Sequence, residues 1–202
     1  MARRYDHTRD EIRQMAITAG TLLIETSGFA KFSARRVAKE IGYSVGTLYN
    51  VFENYDELIL RINAQTLTEI IEKMQKVLLH AQSPQKMLAQ VSDLYINFAI
   101  DHFNRWSCLY EYRSVHQKVL PDWYLIKVNQ LFKIIESILM MGLCKKQENA
   151  EQSAKVIWAS VHGICQLSLS GRIDIVGRAA DKINMLVGNF VDHYTAGLAQ
   201  NA

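Results

Sequence analysis

At 202 residues, 49% of them apolar, the chain can bury one sizeable core or two modest ones, and with only two prolines and ten glycines long uninterrupted elements are expected. Charged or polar residues break every apolar run well before the ~18 positions that cross a bilayer, and Met1 to Arg13 has no signal-peptide core, so neither a membrane-spanning helix nor a signal peptide is expected. Cys108, Cys144 and Cys165 are odd in number, scattered and without metal spacing, as expected of free thiols in a reducing cytoplasm.

The charge is small overall but unevenly placed. Residues 1–52 carry eight basic against five acidic side chains, and the other 150 residues carry 15 of each. The whole net charge of +3 therefore sits in the first quarter, where a nucleic-acid footprint would lie, although a solvated basic face explains such an excess equally well.

In chain order, Ile12, Met15, Ala16, Ala19, Leu22 and Leu23 recur at helical spacing from Asp10 to about Ser27, and Gly28 is placed as a left-handed C-cap. Ser33 can cap a short second helix with Val37, Ala38 and Ile41 inward, ended by Gly42. Ser44 can cap a brief third helix reaching Phe52. Asn54 and Glu57 read as a capping box opening a long fourth helix through Leu58, Ile59, Ile62 and Leu67. Ser83-Pro84 starts another helix through Leu88, Val91, Leu94, Tyr95 and Phe98. An aromatic-rich segment from about Arg105 to Gln117 follows, then a break at Pro121 and a helix to about Leu143. Asn149 and Gln152 read as a second capping box, before a helix through Ile157, Val161, Ile164 and Leu167 that ends near Gly171. A last helix carries Ile183, Leu186, Val187, Phe190, Val191 and Tyr194. No strand-like alternation or repeat interrupts this pattern, so the expected fold is all-α, with a helix-turn-helix domain at 1–55 and a larger helical domain at 56–202.

The stretch from Phe32 to Phe52 carries the function. Two short helices joined by a glycine-containing turn form the unit that lays its second helix in the DNA major groove. Val37, Ala38, Ile41, Leu48 and Phe52 would pack the pair, and Gly42 would supply the positive φ of the bend. Gly46 leaves the first turn of the second helix bare, so backbone N–H groups can approach a phosphate. Thr47, Tyr49 and Asn50 would point outward to phosphates and base edges.

Ser33, Ala38, Gly42, Ser44, Gly46, Thr47, Leu48, Tyr49 and Phe52, with Gly28 ahead of them, resemble the signature of the tetracycline-repressor (TetR) family of bacterial regulators. The resemblance implies that Ser33 and Tyr49 grip phosphates and that Tyr43, Ser44, Val45, Thr47 and Asn50 face the groove, with Arg35 and Gly46 beside them. It also implies a dimer that binds an inverted-repeat operator. Two departures stand out. The family usually has an aromatic or His where this chain has Val51, and often Lys where it has Tyr55. Both commonly touch phosphates, which implies a lighter grip here, or one that uses Arg3 and Arg4.

Trp158, His162 and Gly163 are similar to the W-x-x-x-H-G motif of one TetR subgroup. Four apart, Trp158 and His162 share a helix face, either at a ligand cavity or as ordinary core. Trp106, Tyr110, His116 and Trp123 belong to an aromatic cluster that either lines an effector pocket or packs a core. Ile164, Leu167, Leu186, Val187, Phe190 and Tyr194 lie on the apolar faces that in the family form a four-helix dimer interface. The six histidines show no metal spacing, and no phosphate loop or nucleophile elbow is present, so no enzyme and no cofactor is expected. The expected function is a cytoplasmic homodimeric repressor that an unidentified small molecule releases from its operator. The rivals are a DNA-binding adaptor whose C-terminal domain takes a protein partner, and an all-α enzyme with a vestigial head.

Overall fold

A computed structural model describes residues 7–80, 82–112, 119–172 and 180–200. Its elements are α1 (Arg9–Ser27), a 3-10 turn (Phe29–Lys31), α2 (Ala34–Glu40), α3 (Val45–Val51), α4 (Tyr55–Val77), α5 (Pro84–Asp101), α6 (Phe103–Glu111), α7 (Asp122–Met140), α8 (Gln147–Leu169) and α9 (Ala180–Gln200). The fold is all-α, with no strand among the described residues.

Local chemistry accounts for most of the boundaries. Ser33 and Ser44 sit in extended backbone and accept from the amides of Arg36 and Thr47, the N-caps of α2 and α3. Gly28 and Gly42 both have φ of 74°, a region that penalises any Cβ. α1 opens on a capping box that was overlooked in the sequence: Thr8 accepts from the Glu11 amide, while the Glu11 carboxylate accepts from Thr8 N at 2.6 Å. At α4 the expected box is displaced by one residue. Asn54 Oδ1 accepts from Glu57 N at 2.8 Å, but the Glu57 carboxylate accepts from Glu53 N at 2.7 Å.

Two boundaries differ from expectation. α8 begins at Gln147 rather than at an Asn149 cap, because Gln147 Nε2 is tied to the Glu136 carboxylate of α7 at 3.0 Å, which holds the turn before Asn149 in register. The aromatic segment expected from Arg105 is helical over Phe103–Glu111; its end towards Gln117 falls outside the described residues.

The chain divides into two compact units, Met1–Leu67 with His102–Tyr124, and Thr68–Asp101 with Leu125–Ala202. In the first, Ile12, Ala16, Ile17 and Ile24 of α1 form the spine of a core completed by Val37, Ala38, Leu48, Val51, Phe52, Leu58, Ile59, Ile62 and, from α6, Cys108. In the second, α5, α8 and α9 pack together around Leu88, Val91, Ile96, Ile157, Val161, Cys165, Ile183, Val187 and Val191, with Ile135 and Ile138 of α7 buried as well. All three cysteines are buried and unpaired, and burial pushes the Cys108 and Cys165 thiols up to about 12, so neither is a reactive thiolate.

Gly20, in the middle of α1, is where the first core is tightest. A Cβ there would overlap Ile62 Cδ1 of α4 and lie 3.3 Å from Phe32 Cε2. Gly20→Val is expected to cost about 1–3 kcal/mol through overpacking, read as a lowered urea midpoint; an unchanged midpoint would show that α1 and α4 can separate freely.

Candidate nucleic-acid interface and effector core

The α2–turn–α3 unit buries Val37, Ala38, Leu48, Val51 and Phe52, leaving its polar groups outside. Arg35, Ser44, Gly46, Tyr49 and Asn50 are exposed, and Ser33, Tyr43, Val45 and Thr47 are half-buried at the margin. Ser44 Oγ lies 3.0 Å from Thr47 Oγ1, so the capping serine also fixes the threonine rotamer at the start of α3. Ser33 is occupied as the cap of α2, yet a hydroxyl that accepts one bond keeps its proton free to donate to another acceptor. Tyr43 OH lies 2.8 Å from His7 Nδ1, which ties the turn to the segment preceding α1. Around Gly46 a Cβ would meet only Ser44 Oγ, at 3.6 Å, so the first turn of α3 is open to an approaching group.

The two departures from the family pattern have a structural meaning. Val51 is buried in the core, and Tyr55 is half-buried with its ring 6.0 Å from that of Phe32. What the sequence reading missed is the role of α1's first turns. Arg9 donates to the Asn50 carbonyl, and Arg13 donates to the Val51 carbonyl at 2.9 Å. The last carbonyls of a helix lack intrahelical donors and carry its negative dipole end, so two guanidinium groups satisfy them and hold α3 against α1. They line a cleft of about 310 Å3 with Tyr49 and Asn50.

α6 belongs to this first unit. His102 Nδ1 lies 3.0 Å from Glu25 Oε1, Asn104 Nδ2 donates to the Glu25 carbonyl at 2.8 Å, and Arg105 Nε donates to Thr66 Oγ1 at 3.3 Å and lies 3.8 Å from Glu25 Oε2. Trp106 is fully buried, with Tyr110 edge-on to it at 5.7 Å. The Arg61 guanidinium covers the Trp123 ring at 3.9 Å. Of the aromatic effector-pocket candidates, Trp106, Tyr110 and Trp123 are therefore first-unit residues, Trp158 and His162 are second-unit residues, and His116 lies outside the described residues.

In the second unit, Tyr95 OH of α5 is 3.0 Å from His162 Nδ1 of α8. Trp158 stacks on the His162 ring at 5.3 Å and takes the Phe132 ring edge-on at 5.6 Å. Beside them lies a small cavity of about 20 Å3 lined by residues including Met74, Leu88, Val91, Ser92, Tyr95, Leu131, Trp158 and Val161. It would hold little more than one water, against several hundred Å3 for an occupied ligand pocket.

On the outer faces of α8 and α9, Val156, Leu167, Met185 and Leu186 are exposed, Met185 at 73%. Ile164, Phe190 and Tyr194 are half-buried. Val187, expected on the same face, is 1% exposed and buried in the core of the second unit.

The chain matches the family described as bacterial regulatory proteins, tetR family, over residues 16–62, and the tetracyclin repressor-like C-terminal domain over residues 88–190. It belongs to the tetracycline-repressor family, one of transcription regulators rather than enzymes. A helix-turn-helix-type transcriptional regulator of Staphylococcus aureus is 25% identical over 121 residues, covering 56% of this chain and 65% of that protein, just under two thirds of its length. A protein of unknown function from Rhodococcus has the same fold with a TM-score of 0.76 at 19% identity, over 98% of this chain and all of that one. The regulator FadR of Bacillus subtilis, solved with stearoyl-CoA, gives a TM-score of 0.64 at 17% identity, over 91% and 98%. RolR, solved with resorcinol, gives 0.66 at 15%, over 95% and 93%.

Two outcomes follow from this geometry. Arg13→Ala removes a charged donor from a half-buried carbonyl and is expected to cost about 1 kcal/mol and to speed exchange of the Phe52 amide, measured by hydrogen–deuterium exchange; unaltered exchange would mean the clamp does not hold α3. Burial holds His162 below its ordinary value of 6.5. Its unfolded form therefore takes up a proton first as pH falls below about 6.5, and stability drops there while it is level above. The melting-temperature advantage of the wild type over His162→Gln should shrink between pH 7.5 and 5; a constant difference would contradict this.

Proposed function

We propose that this chain is a cytoplasmic homodimeric repressor that binds an inverted-repeat operator and is released by a small-molecule effector. The observation that carries the DNA-binding part is the α2–turn–α3 unit with Arg35, Ser44, Gly46, Tyr49 and Asn50 exposed along one helix-turn-helix and its apolar residues buried behind them. In this reading residues 1–55 form the reading head and 56–202 the effector-binding and dimerising body. Ser33, Arg35 and Tyr49 take phosphates; Tyr43, Ser44, Val45, Thr47 and Asn50 face bases, and the Gly46 backbone approaches the strand. Ile164, Leu167, Leu186, Phe190 and Tyr194 supply the dimer face, which spaces two heads by about one helical turn of DNA, ~34 Å.

The effector reading puts Trp158 and His162 at the ligand site, in keeping with their likeness to the W-x-x-x-H-G subgroup. FadR and RolR, the relatives solved with stearoyl-CoA and resorcinol, support a ligand in this fold. Chain continuity supports the coupling. α4 begins in the first unit and ends in the second, and α5 of the second unit leads directly into α6 of the first. An effector that prefers a second-unit arrangement incompatible with operator binding lowers operator affinity by its differential affinity for the two states. One observation favours the second reading, a DNA-binding adaptor with a protein partner and no small molecule: the cavity beside Trp158 is only about 20 Å3.

Gel-shift titration over the chain's own promoter region tests the proposal. A specific inverted repeat should bind far more tightly than either half-site, with affinity falling steeply with salt. Arg35→Ala should weaken operator and unrelated DNA alike and flatten the log–log salt slope by about 1. Equal binding of half-site and full repeat would remove the dimer, and absence of any salt-sensitive binding would remove the DNA reading.

A further inference from the structure

We propose that the effector of the second unit is an uncharged, mainly hydrocarbon molecule with one hydroxyl group, and that the Tyr95–His162 pair reads the hydroxyl. This rests on the effector reading above and adds the chemistry of the ligand.

The lining decides the class. Met74 of α4, Leu88 and Val91 of α5, Leu131 and Ile135 of α7, and Ile157 and Val161 of α8 present hydrocarbon. The remaining lining groups are Ser92, Tyr95 and Trp158, and no Asp, Glu, Lys or Arg is among them. Among the charged side chains on the same helices, Lys73 lies over the Phe98 ring at 5.4 Å, Lys133 and Gln147 bond the Glu136 carboxylate, Glu72, Lys76 and Asp93 are exposed, and the half-buried Glu69 and Lys127 do not line the cavity. A carboxylate, phosphate or ammonium entering this site would lose its hydration without gaining a counter-charge, which a buried ion cannot tolerate. His162 does not change this, because burial favours its neutral imidazole at neutral pH.

The pair has the right chemistry for a hydroxyl. Tyr95 OH and His162 Nδ1 are 3.0 Å apart, joining one group that donates and accepts to another that does one or the other according to its tautomer. The cavity of about 20 Å3 that Tyr95 lines fits one water-sized group, the size of a hydroxyl oxygen. The hydrocarbon must make its own room. Met74, buried but unbranched with three rotatable bonds, and the half-buried Trp158 are the lining side chains best able to yield. The Trp158 ring in the lining, with Phe132 edge-on behind it, suits a ligand whose hydrocarbon includes a ring.

Calorimetric titration of the full chain with four matched probes tests this, each followed by a gel shift on the operator. 4-Propylphenol should bind and weaken operator binding. Propylbenzene, which lacks the hydroxyl, should bind roughly five- to tenfold more weakly. The anion 4-propylbenzoate and the cation 4-propylbenzylamine should bind roughly a hundredfold more weakly or not at all. Tyr95→Phe should erase most of the preference for the phenol over propylbenzene while keeping the affinity for propylbenzene. Binding of the benzoate or the benzylamine as tight as the phenol would overturn the ligand class and leave the effector site standing. An unchanged phenol preference in Tyr95→Phe would overturn the assignment of the reader. Failure of all four probes with a chain that holds its operator would overturn the effector reading itself and leave the adaptor.

Discussion

Everything in the first unit depends on α1 holding other elements at both of its ends. At its start, Arg9 and Arg13 donate to the final carbonyls of α3; near its end, Glu25 engages His102 and Arg105 of α6. The two sites are about 20 Å apart along one uninterrupted helix at 1.5 Å per residue. Between them run Ile12, Ala16, Ile17 and Ile24, which bury the spine of the core. A rigid rod pinned this way makes the orientation of α3 a property of the whole unit rather than of the helix-turn-helix by itself.

The Glu25 end is the costlier to build. Arg105 is 8% exposed, and a guanidinium so buried is destabilising unless its partners are present. Thr66 of α4 and Glu25 of α1 supply them, so a single buried cation fastens three helices. Asn63 adds a bond to the Cys108 carbonyl at 3.4 Å, and Tyr112 adds one to Asp56, both tying α4 to α6 or its end. Such a polar junction tolerates little displacement, because a shift that separates Arg105 from its acceptors leaves charge unmet. The junction therefore resists displacement more strongly than an apolar contact of the same size would.

How far the sequence discloses this depends on the range of the interactions. Ser33, Gly42 and Ser44 were readable because a cap or a positive φ is fixed by residues three or four away. Thr8 and Glu11 carry the same kind of signal, a Thr three residues ahead of a Glu, and it is equally local. The membership of α6 in the first unit was not readable. Trp106 and Tyr110 look the same in sequence whether they line a pocket or plug a core, and what assigns them is a partner 77 residues away, Glu25 to His102. Val187 shows the same limit: helical periodicity puts it on an apolar face, but does not say whether that face packs inside the chain, as it does here, or lies outside it.

The near-closed cavity beside Trp158 then acquires a thermodynamic meaning. A core whose cavity is about 20 Å3 gains nothing from an effector until it opens, so the affinity of any effector is reduced by the free energy of opening. In the repressor proposed above, the same opening energy would fix which state dominates when no effector is present, and so how tightly an operator is held at rest. Under that proposal, tight packing around Met74, Leu131 and Val161 would work in both directions, deepening the resting state and raising the effector concentration needed to leave it. On that proposal, the half-buried stack of Phe132, Trp158 and His162 is where the balance would be most easily moved, since half-buried rings lose less packing on displacement than they would if fully enclosed.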